Sequence, residues 1–317
     1  MGEVIGNILP LFSLVLIGYG IGRARWMNGD QIKGLSFFVF YLAIPALLFR
    51  TLGRGEVLDV LDPSILVVYF TGTFLVMALA WALGWLVFSN RAEELPVMAM
   101  GAAYSNIVLL GIPLVYALFG EAGLLPMLMI VTVHSLILLP MTMILIEVAR
   151  GAGAEAGGRA NLILRPVVKA VFKNPVILSI LAGIAFNLSG LELPDPADAL
   201  ARLLGGASAP CALVALGATL SAYRLGGDMR ESLSLVALKL VVHPVLVWLL
   251  ATQLFAFPPV WVAAVTITAA LPIGVNVFII ADQYKVYLAR TTTAVLISTV
   301  ASVATVTAVV VWFGAAR

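Results

Sequence analysis

Long apolar runs alternate with short polar connections along the whole of this 317-residue chain. A helix needs about 20 mostly apolar residues to cross the hydrocarbon core of a bilayer. The sequence contains ten runs of roughly that length. They cover residues 4–22, 34–52, 64–88, 95–118, 123–147, 175–192, 200–222, 232–254, 258–281 and 290–313. We predict one membrane-spanning helix for each run.

The runs favour helices over strands. An open strand would leave unpaired backbone groups in lipid, and the runs lack the two-residue alternation that is typical of a membrane barrel. The composition agrees, since 62% of the residues are hydrophobic and only 11% are charged. The one long polar connection is 148–174, so we expect no soluble domain of useful size. The predicted fold class is an all-α polytopic membrane protein with ten transmembrane helices.

Charge and cysteine content exclude several other classes of protein. The net charge of +2 is too small to indicate a nucleic-acid partner. Cys211 is the single cysteine, so the chain cannot contain an intramolecular disulfide, and one Cys with two His residues cannot make an ordinary zinc site. The usual hydrolase, phosphate-loop and metalloprotease motifs are absent from the sequence. We therefore expect no enzyme activity, no bound metal and no cofactor.

The basic residues predict how the chain is oriented. Thirteen of the 18 Lys and Arg residues fall in loops on one side, and Lys239 lies inside a span. The remaining four are Arg50, Arg54, Arg202 and Arg317. Because basic residues mark cytoplasmic loops, both termini should lie outside the cytoplasm. A chain rich in Ala, Val and Leu with a short central loop looks prokaryotic, which favours a bacterial or archaeal plasma membrane.

The two halves of the chain resemble each other. Five predicted spans lie on each side of the polar stretch, and an odd number forces the halves into opposite orientations, the plan of many secondary transporters. We divide the chain into a first repeat at 1–147, a cytoplasmic basic loop at 148–174 and a second repeat at 175–317. A shift of 165 positions superposes Pro10 on Pro175, Gly18 on Gly183 and Pro45 on Pro210. The sequence thus predicts a 5+5 inverted repeat.

The fourth and ninth predicted spans are interrupted by proline and glycine beside an asparagine. Asn106 precedes Gly111-Ile112-Pro113, and Pro272-Ile273-Gly274 precedes Asn276. Proline removes a backbone donor and glycine loosens the chain, and such a break is tolerated at mid-membrane where it lines a cavity. A simple proline kink, satisfied by neighbouring helices, is the alternative. The candidate crossover and hinge residues are Gly111, Pro113, Pro45 and Pro210.

Helix breaks of this kind select the charge of a ligand. A helix that starts at mid-membrane presents free N–H groups and about half a positive charge, so two converging starts suit one carboxylate. Asn106 and Asn276 can orient that anion through their amides; alternatively, they only join helices by hydrogen bonds. The candidate substrate-binding residues are Tyr104, Ser105, Asn106, Pro272, Gly274, Val275 and Asn276.

The ionisable residues inside the predicted spans are His134, Lys239 and His243. Lys239 and His243 are four residues apart and share a helix face, so they form a candidate coupling site or a second positive site for a dicarboxylate. In the alternative, Lys239 snorkels toward the cytoplasm. We assign His134 mainly to packing. No span carries Asp or Glu near its middle, which disfavours a carboxylate-built cation site and leaves the coupling ion open, with a proton or sodium as candidates.

Two strings resemble the auxin efflux carrier family, which includes plant auxin exporters and prokaryotic carriers associated with malate or malonate. They are Ser105-Asn-Ile-Val-Leu-Leu-Gly-Ile-Pro-Leu114, and Ala270-Leu-Pro-Ile-Gly274 followed by Ala281-Asp-Gln-Tyr284. The resemblance implies a ten-helix inverted repeat like that of the sodium/bile-acid symporters and NhaA. Spans 1, 2, 6 and 7 would form a scaffold, spans 3–5 and 8–10 a moving transport domain, and the protein a homodimer. It also implies that Asn106 contacts the substrate and that Pro272 and Gly274 form the second crossover.

The chain departs from the plant pattern at Ser105, where plant members carry proline, and at Asn276-Val277, where they carry Val-Pro. The long cytosolic loop of many plant members is replaced by 148–174. The predicted function is secondary transport of small organic anions, such as malate-like, malonate-like or auxin-like carboxylates, by elevator-type alternating access. The alternatives are a ligand-sensing membrane receptor and an anion channel that use the same pocket. The expected partners are the organic anion, membrane lipid and a second copy of the chain, with no nucleic acid.

Overall fold

The computed structural model describes residues 2–54, 62–150, 174–222 and 226–315. Almost all of them are helical, and the described residues contain one isolated β-bridge. The predicted basic loop at 148–174 lies almost wholly outside the described residues. In chain order the α-helices are α1 (Gly2–Arg23), α2 (Gly29–Phe38), α3 (Ile44–Arg54), α4 (Ser64–Leu86), α5 (Leu95–Ala103), α6 (Ile112–Ala149), α7 (Pro175–Leu188), α8 (Asp195–Gly206), α9 (Ser208–Leu220), α10 (Met229–Ala237), α11 (His243–Gln253), α12 (Pro259–Ala270), α13 (Val275–Tyr284) and α14 (Leu288–Ala315).

The apolar length of these helices makes the protein an all-α, multi-pass membrane protein. Within the described residues, six helical segments are long and apolar enough to cross a bilayer. They are Gly29–Arg54, Ser64–Leu86, Ile107–Ala149, Asp195–Leu220, Met229–Gln253 and Leu288–Gly314. Three shorter apolar helices accompany them, at Leu9–Arg23, Pro175–Leu188 and Pro259–Ala270. The segment Ile107–Ala149 contains the predicted run 123–147 and the second half of the run 95–118. It is interrupted at Gly120, whose φ of 60° is a backbone conformation that glycine adopts readily.

In the part of the chain that the structure describes, three helical segments contain a five-residue π-helical turn, and in each case a proline follows two residues later. The turns are Val39–Ala43, Ile107–Gly111 and Leu238–Val242. The prolines after them are Pro45, Pro113 and Pro244. A proline lacks the N–H of a helical hydrogen bond and clashes with the carbonyl four residues earlier, and a π turn relieves both problems by widening the helix locally. The predicted hinge residues Pro45 and Pro113 therefore lie just after distorted turns, whereas Pro210 lies in the first turn of α9.

Close packing of α1 against α9 depends on glycine. A Cβ added to Gly18 would lie 2.2 Å from the carbonyl oxygen of Val214, and one added to Gly217 would lie 1.9 Å from the carbonyl oxygen of Val15. The two backbones are therefore in direct contact. Small residues allow this approach, which provides packing energy where lipid removes the hydrophobic driving force.

Two clusters of charged residues lie at the helix ends. In the Arg50 cluster, Arg50 and Arg54 of α3 bind Asp198 of α8 at 2.7 and 2.8 Å, and Arg50 also reaches Glu121 of α6 at 3.5 Å. The Arg290 cluster comprises Asn90, Glu94, Glu231 and Arg290, in which Arg290 binds Glu231 at 3.2 Å and Glu94 at 3.3 Å.

The two clusters lie near opposite ends of the second part of α6. Glu121 begins the helical segment that ends at Ala149, next to the Arg150–Glu93 ion pair and the Arg290 cluster. At a rise of 1.5 Å per residue, that segment is about 43 Å long. This length exceeds the thickness of a hydrocarbon core, which is about 30 Å.

Candidate functional site

Two interrupted helices meet at the centre of the bundle. The chain leaves α5 after Ala103 and leaves α12 after Ala270, and the two extended segments pair through an antiparallel bridge between Ser105 and Ile273. The N–H of Asn106 donates to the carbonyl of Pro272 at 2.9 Å, and the N–H of Gly274 donates to the carbonyl of Tyr104 at 2.9 Å. The exposed backbone groups of each break are thus partly satisfied by the other break.

The sequence around each break explains why the helices stop. Pro272 has no N–H to continue α12. A Cβ on Gly274 would lie 2.7 Å from Cδ1 of Tyr104, so only glycine allows the two segments to approach this closely. A Cβ on Gly111 would lie 2.5 Å from Cδ1 of Leu271, so a larger residue there would have to displace the end of that side chain.

Helical structure resumes on the far side of each break. A π turn begins at Ile107 and α13 begins at Val275, and no side chain caps either start. Free N–H groups at a helix start carry a partial positive charge. Two such starts next to the paired segments produce a positive potential without an ionised side chain.

The two predicted asparagines flank the bridge but differ in their contacts. Asn106 is only 6% exposed, and its Nδ2 has no hydrogen-bond partner in the described part of the chain. Asn276 is half-buried, and its Nδ2 donates to the Tyr104 hydroxyl at 2.6 Å. The Tyr104 hydroxyl also contacts Ser135 Oγ at 2.7 Å. A buried amide without a partner is costly unless a ligand or water satisfies it, which makes Asn106 a candidate for ligand contact.

Lys239 lies directly behind the first break and is completely buried. Its Nζ donates to Ser105 Oγ at 2.9 Å and to the carbonyl of Ala269, and lies 3.3 Å from His243 Nδ1. The other ring nitrogen of His243 lies 3.2 Å from the hydroxyl of Thr73. Lys239 and His243 therefore share a helix face, and Lys239 connects both breaks through Ser105 and Ala269.

His134 lies beside this network. Its ring centroid is 4.4 Å from that of Tyr104 and 5.9 Å from that of Tyr69, and its Nε2 is buried without a partner among the described residues. Tyr69 in turn places its hydroxyl 3.3 Å from Ser105 Oγ. His134 packs as the sequence suggested, but it packs against the candidate site.

Sequence reasoning missed three polar residues of this site, namely Tyr69, Thr73 and Ser135. Tyr69 and Thr73 are four residues apart in an otherwise apolar helix, so a polar face on α4 was visible in the sequence. Ser135 had no such signal apart from its position next to His134. The predicted hinge residues Pro45 and Pro210 lie in α3 and α9, outside the break itself.

The described residues contain no group of three or more His, Cys, Asp or Glu side chains that could hold a metal ion. The polar groups at the breaks include amides, hydroxyls and backbone N–H groups. These groups can hold an oxyanion by hydrogen bonds, and the helix starts add a favourable potential.

Comparison with known families decides the class of the protein. The sequence matches the family described as "Membrane transport protein" over residues 3–310. The chain belongs to this family. Members of the Membrane transport protein family carry solutes across membranes and are not enzymes, and the resemblance to auxin efflux carriers is confirmed.

The relatives of this chain differ in how much of it they cover. A Rhizobium meliloti (strain 1021) protein named "Putative malonate transporter" is 33% identical over 310 residues, which are 97% of this chain and 95% of the relative. "Uncharacterized transporter YfdV" of Escherichia coli (strain K12) is 25% identical over 95% of both chains. "Auxin efflux carrier component 2" of Arabidopsis thaliana is 28% identical over 160 residues, 48% of this chain and 23% of the plant protein.

Proposed function

We propose that the protein is a secondary transporter of small organic anions, and that the anion binds at the paired breaks of α5 and α12. One observation carries this proposal: the buried amide of Asn106 lacks a partner at the point where two uncapped helical starts converge. An unpaired donor in a positive potential suits a carboxylate oxygen. A carboxylate can satisfy Asn106 and the free N–H groups together.

Malonate is the best first substrate to test. The Rhizobium meliloti relative carries that substrate in its name and aligns over nearly the full chain. Malonate-like, malate-like and auxin-like acids share the carboxylate that the helix starts favour. Uncharged solutes would gain nothing from this potential, so the proposal predicts a preference for anions.

The transport mechanism that we propose is elevator-type alternating access. In this arrangement the ten predicted spans form two inverted five-helix repeats, in which spans 1, 2, 6 and 7 are a scaffold and the others move with the substrate. The direct contact between α1 and α9, which belong to the first and seventh spans, supports a rigid scaffold. We further propose a homodimer with both termini outside the cytoplasm.

Lys239 and His243 are our candidates for the coupling site. Both are fully buried, and Lys239 hydrogen-bonds groups of both breaks, so a change in its protonation or contacts would reach the substrate site directly. Either a proton or sodium remains the candidate coupling ion. Uptake measured with a proton gradient alone and with a sodium gradient alone separates the two.

The proposal is tested by malonate uptake into proteoliposomes containing the purified protein. We expect uptake by the wild type and a loss of at least tenfold in Asn106→Ala, because the amide that holds the carboxylate is removed. Asn28→Ala is the matched control, since it makes the same chemical change at an exposed helix cap. Unchanged uptake by a folded Asn106→Ala protein would contradict the site. Binding without flux would indicate a receptor, and single-channel currents an anion channel.

A further inference from the structure

The orientation of the Asn276 amide restricts which ligand atoms can approach it. Its Nδ2 is directed at the Tyr104 hydroxyl at 2.6 Å. Its Oδ1 therefore lies on the other side of the amide group from Tyr104, and the side chain is half-buried beside the break. The group that Asn276 offers to a ligand is therefore a carbonyl oxygen, which accepts hydrogen bonds but cannot donate them.

Tyr104 makes two further contacts that hold its side chain in place. Its hydroxyl lies 2.7 Å from Ser135 Oγ and its ring packs 4.4 Å from the ring of His134. When Asn276 Nδ2 donates to the tyrosine oxygen, the tyrosine proton is free to donate to Ser135, so every group in this chain of hydrogen bonds is satisfied. Rotation of the Asn276 amide by 180° would require the whole chain to reverse.

The site thus presents two kinds of group to a ligand. Asn106 Nδ2 and the free N–H groups of the two helical starts are donors, and Asn276 Oδ1 is an acceptor. A carboxylate oxygen suits the donors. The same oxygen placed against Asn276 Oδ1 would leave two acceptors facing each other without a proton between them, which is unfavourable.

We propose that this site selects carboxylates that also carry an O–H donor next to the carboxylate. A hydroxyl on the neighbouring carbon supplies that donor, and so does the protonated second carboxyl of a dicarboxylate. This inference rests on the proposed function, since it concerns the same anion site. It adds a specificity role for Asn276 and a positioning role for Tyr104 and Ser135, both of which act on the ligand through Asn276.

The test compares the affinities of glycolate and fluoroacetate for the purified protein by titration calorimetry. The two acids have nearly the same size, but glycolate has a hydroxyl where fluoroacetate has fluorine, which cannot donate. We expect wild-type protein to bind glycolate about tenfold more tightly, because fluoroacetate leaves the Asn276 carbonyl unpaired. A second arm titrates malonate at increasing pH. Affinity that falls as the second carboxyl ionises identifies a protonated dicarboxylate as a ligand, and constant affinity restricts the donor to hydroxyls.

Variants separate the specificity effect from loss of the site. Tyr104→Phe frees the Asn276 amide to rotate, so the glycolate preference should fall toward onefold. Ser135→Ala should also lower the glycolate preference toward onefold, although it keeps the tyrosine hydroxyl. This second variant tests the inference if Tyr104→Phe does not fold. Tyr41→Phe, at a tyrosine that is 48% exposed, is the matched control and should keep the preference. Asn106→Ala should weaken both acids by a similar factor.

Equal wild-type affinities for glycolate and fluoroacetate would overturn the inference and leave the anion site standing. A glycolate preference that survives in both Tyr104→Phe and Ser135→Ala would also overturn it, because the orientation of Asn276 would then not be the cause. Absence of binding by all three acids would contradict both this inference and the proposed function.

Discussion

The role of the buried Lys239 can be argued from its contacts. A basic residue in the middle of a span is energetically expensive. The sequence left three explanations open: a second positive charge for a dicarboxylate, a coupling group, or a side chain that snorkels toward the cytoplasm. Its Nζ contacts Ser105, His243 and the carbonyl of Ala269, and the residue has no exposed surface. These contacts favour a role in joining the breaks over direct contact with a substrate.

Substitution of Lys239 by methionine distinguishes the two roles. Methionine keeps the apolar stem and removes the amine, so the contacts with Ser105 and Ala269 are lost. We expect the affinities for malonate and glycolate to fall together, by about tenfold, because both acids depend on the same paired breaks. Titration calorimetry measures both, with Lys285→Met at an exposed lysine as the control. Selective loss of malonate binding would instead make Lys239 a second positive charge for the substrate.

The residues of the site differ in how well the sequence predicts them. Asn106, Pro272 and Gly274 could be predicted, because proline and glycine within an apolar run indicate a helix break without any knowledge of the residues that they contact. Ser135 could not, since it joins the site only through its contact with the Tyr104 hydroxyl. Tyr69 lies on a polar face of α4 that the sequence shows, but its contact with Ser105 does not follow from the sequence. Contacts between residues that are distant in sequence cannot be inferred from the local sequence pattern.

At the scale of the elements, the hydrophobic pattern predicts helices well but predicts their interruptions poorly. The apolar runs coincide with helices because length and composition decide both. The π turns at Val39–Ala43 and Leu238–Val242 leave no mark on the hydrophobic pattern. The proline after each is a local signal, but a proline alone is equally compatible with a simple kink.

The close contact of α1 with α9 predicts that a larger residue at Gly18 lowers the stability of the protein. Gly18→Ala places a methyl group 2.2 Å from the carbonyl oxygen of Val214, so the helices must move apart. Overpacking of this kind costs about 1–3 kcal/mol, and we expect a lower melting temperature in a thermal denaturation assay. Gly20→Ala is the matched control on the same helix, because its Cβ meets nothing within 4 Å. If both variants melt at the wild-type temperature, the close contact of α1 with α9 is wrong.

At the scale of the whole molecule, the Arg50 and Arg290 clusters connect the two halves of the chain. Asp198 of the second half is shared by Arg50 and Arg54 of the first half, and Arg290 of the second half binds Glu94 of the first half. Arg50 also reaches Glu121 at 3.5 Å, and Glu121 is half exposed. An exposed pair at this distance contributes at most about 1 kcal/mol, so it is weak enough to open and close during a transport cycle.

Malonate counterflow tests whether the paired breaks form the substrate site of an alternating-access carrier. Proteoliposomes are loaded with unlabelled malonate and diluted into a trace of labelled malonate. A carrier exchanges the two, so we predict a transient internal concentration of label above its equilibrium value with wild-type protein and none with Asn106→Ala. Label that only approaches equilibrium with wild-type protein would contradict the carrier mechanism. An equal overshoot with Asn106→Ala would contradict the substrate site.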